Sequence, residues 1–203
     1  MGNLTGEQWA VGIVLFNDVE VLDFAGPFEV FSVATNPVTQ HKPFAVKTIS
    51  QTGEMVTARN GLKVYPDFSF VSAPHFDILV VPGGPGARET EIRNTKLIAW
   101  IQDRMDDVQI MSSVCTGALL LAKAGLLNGK RATTHWGSYA RLESEFPRVL
   151  VQRNVKFVDE GVIVTSGGIS AGINMSFHIV KRLVGSEIAR ETARRMEYDI
   201  TIS

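Results

Sequence analysis

The chain has 203 residues, enough to bury the core of one α/β domain and short for two. Apolar residues make up 45% and charged residues 20%, an ordinary balance for a globular protein. With 20 basic against 21 acidic residues and a formal charge of −1, no stretch marks a surface for nucleic acid or an anionic membrane.

The opening residues, MGNLTGEQWAVGIVLF, lack a basic segment and a cleavage site, so no secretory leader is expected. Gly6 stands where a myristoylation signal needs Ser or Thr. Every apolar run is too short to span a bilayer, and the expected location is the cytoplasm. WAVGIVLF, from Trp9 to Phe16, is β-branched and without helical period, which predicts a buried strand. A loop carrying Asp23 follows, and Pro27 suits the first turn of a helix through FEVFSVAT. Phe44 to Ser50 predicts the next strand, and MVTARNGLKVY a hairpin turning at Asn60-Gly61.

The clearest βα signal is FDILVVPGGPG, an apolar strand from Phe76 to Val81 running into three glycines. Asn94 is placed to cap the helix TKLIAWIQDRM, and VQIMSSV predicts a strand leading directly to Cys115. TGALLLAKAG predicts a helix closed by Gly125, and GSYARLESEF another. KRATTHW reads as a short strand and turn, and VKFVDEGVIVTSGG as two strands around Glu160-Gly161. Two closing helices follow, the last with Arg190, Arg194 and Arg195 alternating with Glu187 and Glu191 on a solvated face. No repeat or linker interrupts the alternation, so residues 1–203 are expected to form one three-layer α/β domain with a mostly parallel sheet.

Such sheets bind ligands at the carboxyl ends of their strands. Gly83-Gly84, Cys115-Thr116 and Gly167-Gly168 all fall there, and Asp23 is placed to join them. Cys115 is the single cysteine, so no internal disulfide is possible. It is either a small buried hydrophobe or a nucleophile. Ser113-Val114-Cys115-Thr116-Gly117 imitates the G-x-S-x-G elbow, which would lift the thiol into solvent at a helix N-terminus and favour the thiolate; this favours the nucleophile. Asp23 by itself reads first as a helix cap. His41, His75 and His178 have no metal-ligand spacing, and no metal or cofactor is expected. The GGPG turn lacks both the dinucleotide and the Walker patterns, which excludes nucleotide binding. Phe24 and Trp136 are either pocket walls or ordinary buried aromatics.

DFAGPFEVF, ILVVPGGPG, SVCTGALLLAKAGLLNGKRATTHW and GGISAGINM closely resemble the DJ-1/PfpI superfamily, in family order over nearly the whole chain. They are most similar to its isocyanide hydratase branch and to the amidase-like domains of AraC-type regulators. The resemblance implies a flavodoxin-like sandwich, a homodimer, and a small-molecule substrate. It implies Cys115 as nucleophile, Asp23 as the acid beside the sulfur, and Gly83 and Gly84 beside an oxyanion-type pocket with Thr116. Ile169 matches an apolar wall and His135 the pocket histidine. Thr116 stands where PfpI-type proteases carry His, which argues against a Cys-His protease, because a hydroxyl cannot take a proton at neutral pH.

A thiolate and a carboxylate in contact repel, so Cys115 and Asp23 are expected to share one proton, with the sulfur ionised. The expected reaction is hydration of an isocyanide to an N-formamide through a thioimidate. The alternatives are a glyoxalase-like enzyme for small carbonyl compounds, or an effector- or redox-sensing domain using an exposed, oxidisable thiol. The chain stops at Ser203 without a basic recognition helix, which sets the expectation against transcriptional control.

Overall fold

The structure, a computed structural model, describes residues 8–202; the residues weighed above against a leader and a myristoylation signal lie largely outside them. Eleven strands are described: β1 Trp9–Val14, β2 Phe44–Ser50, β3 Val56–Thr57, β4 Lys63–Val64, β5 Phe68–Ser69, β6 Ile78–Val81, β7 Ile110–Ser113, β8 Arg131–Ala132, β9 Leu150–Val151, β10 Phe157–Asp159 and β11 Ile163–Ser166. The helices are α1 Val21–Val33, α2 Pro85–Glu89, α3 Thr95–Arg104, α4 Gly117–Lys123, α5 Tyr139–Glu145, α6 Ala171–Val184 and α7 Ser186–Arg195.

Seven strands form the central sheet in the order β10-β11-β7-β6-β1-β2-β5. Only β10 runs antiparallel to its neighbour. β6, β7 and β11 are buried along their whole length, and β1 all but so, as their continuous apolar sequences require of a sheet covered on both faces. Helices α1, α6 and α7 pack together in one layer, and α2, α3 and α4 in the other. This is the expected flavodoxin-like α/β sandwich. Among the described residues no helix is long and apolar enough to cross a membrane.

Local signals are realised closely. Asn94 Oδ1 accepts from the N–H groups of Lys96 and Leu97 and caps α3. Asn60 and Gly61 turn the β3–β4 hairpin with φ of 64° and 94°. Glu191 pairs with Arg194 and Arg195 on the solvated face of α7.

The first helix differs from expectation. It begins at Val21, so Asp23 sits in its first turn rather than in a loop, and Pro27 lies inside the helix. Pro27 has no N–H to give the Asp23 carbonyl, a defect the packing of α1 against α6 overrides. The capping role for Asp23 also falls, because the residue at the cap position is Glu20.

Register decides where the site lies. Val81 pairs with Ser113, and Ser113 with Thr165, so β6, β7 and β11 end level with one another. The chain leaves β1 for β2 on one side and later returns to β6 on the other. The crevice is therefore at the switch point where open sheets of this kind bind ligands.

Candidate active site

Cys115 follows Ser113 and Val114 at the end of β7, with Thr116 between it and the start of α4. Its φ of 57° is the left-handed region, which is strained for a residue with a Cβ. Three sets of hydrogen bonds hold the strain. The Cys115 N–H donates to the carbonyls of Ser166 and Gly167, each at 3.2 Å, and its own carbonyl accepts from Thr134 Oγ1 at 2.7 Å. The Gly117 N–H closes the turn on Val114 O at 2.9 Å. Strain held this firmly by its surroundings is typical of functional positions. Cys115→Gly should therefore unfold about 1 kcal/mol less readily than Cys115→Ala, checked by urea denaturation of the two inactive variants.

Asp23 reaches the elbow from α1. Its Oδ2 accepts from the Gly83 N–H at 3.0 Å, and the side chain also interacts with the Cys115 thiol. Gly83 is required by crowding: a Cβ there would lie 2.5 Å from Thr116 N and 3.0 Å from Asp23 Oδ2. Gly84, at φ 120°, gives its N–H to Thr116 Oγ1 at 2.9 Å, and that hydroxyl is placed to donate to Gly84 O at 3.3 Å. Thr116 thus locks the Gly83-Gly84 loop to the elbow with its hydroxyl, and its backbone N–H serves the sulfur.

Burial dominates the electrostatics. It pushes the Asp23 carboxyl up to about 8, against the Gly83 N–H, and the nearby Glu20 carboxylate adds to the push. Burial therefore favours the neutral form of Asp23. Burial also pushes the Cys115 thiol up, and a charged Asp23 would push it further, while the Thr116 N–H and hydroxyl pull it down. One expectation is corrected here: Cys115 is only 5% exposed rather than lifted into solvent. Burial raises the pKa of both groups and favours the protonated form of each.

Gly168 brings His135 into the same cluster. A Cβ on Gly168 would lie 2.3 Å from His135 Cδ2 and 3.1 Å from Cys115 Sγ. His135 Nδ1 accepts from the Gly137 N–H, which leaves the proton of the neutral ring on Nε2. Burial and then the charge of Arg88 lower its pKa. Ile169 follows Gly168 half-buried, outside the hydrogen-bonded set. Phe24 is a core residue, whereas Trp136 is 75% exposed. His178 ties α6 to β10 by pairing with Asp159 at 2.7 Å. No three His, Cys, Asp or Glu side chains among the described residues come together as a metal site.

Sequence reasoning missed Glu20 and Arg59. Glu20 gives its N–H to Gly83 O and pairs its carboxylate with Arg59, whose N–H in turn bonds Val19 O. The β3–β4 hairpin is thereby fastened to the start of α1. The only signal was the Asn60-Gly61 turn beside Arg59, and a turn does not reveal which loop it will meet.

Residues 10–182 match the DJ-1/PfpI family. The chain is 35% identical over 188 residues to an isonitrile hydratase of Pseudomonas putida, spanning 93% of this chain and 78% of that protein. It is 28% identical over 190 residues to the HTH-type transcriptional regulator GbdR of Pseudomonas aeruginosa, spanning 94% of this chain and 51% of the regulator, about half its length. The crystal structure of a THiJ/PfpI family protein from Pseudomonas syringae shares the fold at a TM-score of 0.85 and 24% identity, over 97% of this chain and 77% of that one.

Proposed function

The chain belongs to the DJ-1/PfpI family, and on that footing we propose that it hydrates an isocyanide to an N-formamide with Cys115 as nucleophile and Asp23 as proton carrier. The observation that carries the reading is a buried carboxyl against the thiol at the elbow, with one oxygen held by Gly83 and its neutral form favoured by burial. The similarity to an isonitrile hydratase supports it.

The terminal carbon of R–N≡C is electrophilic and becomes basic as it is attacked. Cys115 Sγ forms the S–C bond while Asp23 gives its proton to that carbon and receives the proton leaving sulfur. The thiol has then added across the carbon, giving the thioimidate R–N=CH–S–Cys115, and Asp23 is neutral again. Water adds to the C=N bond with its proton passing to nitrogen. Collapse breaks the C–S bond, returns a proton to sulfur and releases R–NH–CHO. A deeply buried sulfur suits this substrate, because the linear isocyanide group is slender enough to reach it. Thr116 holds the Gly83-Gly84 loop and directs its N–H at the developing charge.

The protein acts in this reading as a cytoplasmic homodimer on a small molecule, with no cofactor. The regulator relative supports a second reading, in which the same cleft binds an effector without turning it over. Formamide release from methyl and phenyl isocyanide separates the two. Wild type is expected to turn over, Cys115→Ala to show none, and Asp23→Asn to lose about 10²–10⁴-fold in kcat. Binding without turnover in the wild type would replace the hydratase reading with the effector one.

A further inference from the structure

A cavity of about 250 Å³ is walled by Trp136, Tyr139, Val155, Gly167, Gly168 and Ala171. Gly168 is common to this cavity and the elbow: its bare Cα faces Cys115 Sγ on one account and borders the cavity on the other. The aromatic wall is fixed in place. The Tyr139 hydroxyl accepts from the Asn154 N–H at 3.2 Å, and the Arg153 guanidinium covers its ring at 5.3 Å. Trp136 rests against the His135 ring, with centroids 5.4 Å apart, and His135 itself abuts Gly168.

An indole three-quarters exposed is unusual for a residue this large and apolar. It is one wall of a concave site rather than an isolated surface aromatic. A closed apolar cavity on the order of 150 Å³ holds benzene, so this one has room for a single aromatic ring. The flat faces of Trp136 and Tyr139 favour a flat ring over an alkyl chain, which offers no face to stack.

We infer that this cavity receives the R group of the substrate and selects an aryl isocyanide, its ring stacked on Trp136. The inference rests on the hydratase reading for the reacting carbon, and on the cavity alone for the ring.

Tryptophan fluorescence tests the ring without requiring turnover. Trp9 and Trp100 are buried, so Trp136 is the accessible fluorophore among the three. Formanilide, the product from phenyl isocyanide, should quench wild type at concentrations where N-methylformamide does not, and the quench should be lost in Trp136→Ala. In turnover, Trp136→Ala should raise KM for phenyl isocyanide about tenfold more than for methyl isocyanide. Equal quenching by both formamides, or an unchanged KM ratio, would overturn the inference. So would a Trp136 already shielded from acrylamide in the ligand-free protein, because another chain would then occupy the wall. Absence of all turnover with formanilide quenching intact would remove the hydratase reading and leave the aromatic site standing.

Discussion

Asp23→Asn is expected to make the protein more stable at neutral pH while removing its proton carrier. The sign follows from burial. Asp23 titrates near 3.8 when unfolded and near 8 when folded, so the folded state holds the extra proton. Its contribution to stability is complete below about pH 4, is lost progressively as pH rises, and is gone above about pH 8. An amide has nothing to lose over that window. Wild type and variant should therefore unfold alike near pH 4 and diverge as the pH is raised, reaching about 5 kcal/mol in favour of the variant at pH 8. In a domain of this size that is about 10–20 °C in Tm. Thermal melts from pH 4 to 9 check it, and parallel curves for the two proteins would show that Asp23 is ionised in the fold. The gain in stability beside the loss of activity is the trade expected where a buried titratable group is kept for chemistry.

A large loss of stability is expected from Gly117→Ala. The added Cβ would lie 2.1 Å from Val81 O and 2.9 Å from Pro82 O, both backbone atoms. Neither can rotate away, and Val81 O already accepts the Val114 N–H. The elbow would have to move off β6, at about 3 kcal/mol or more. Gly125→Ala is the contrast: its φ of 77° is unfavourable for alanine, unlike that of Gly117, but the nearest atom to the new Cβ is an Asn128 side-chain nitrogen at 3.5 Å. It should lose about 1 kcal/mol. Urea titrations of both variants against wild type give the two numbers, and a Gly117→Ala loss no larger than that of Gly125→Ala would mean that the elbow gives way to the new Cβ at little cost.

These two positions show what could be read from the chain and what could not. Gly117 was legible as part of the elbow pattern, because a doubled-back turn needs small neighbours. The strands were legible for a similar reason: continuous apolar runs such as Ile78–Val81 have one stable place, the middle of a parallel sheet. Convergence of the loops at Gly83, Cys115 and Gly168 followed from topology. The start of α1 was not legible, because proline usually marks a first turn and only the packing of that helix against α6 places Pro27 within it. The protonation state was hidden for a deeper reason. The elbow pattern speaks for a helix N-terminus that favours the thiolate, and nothing in five residues reports how completely neighbouring strands will bury the sulfur. Glu20 and Arg59 were hidden because ion pairs between distant loops leave no periodicity.

The lone buried cysteine has one more consequence. Bulky disulfide reagents cannot follow a slender substrate to a sulfur packed under Gly168 and His135, so they must wait until the protein opens. Their labelling rate then counts openings of the sheet's carboxyl edge, and the chain carries a built-in clock for its own breathing, with a single hand and no competing thiol.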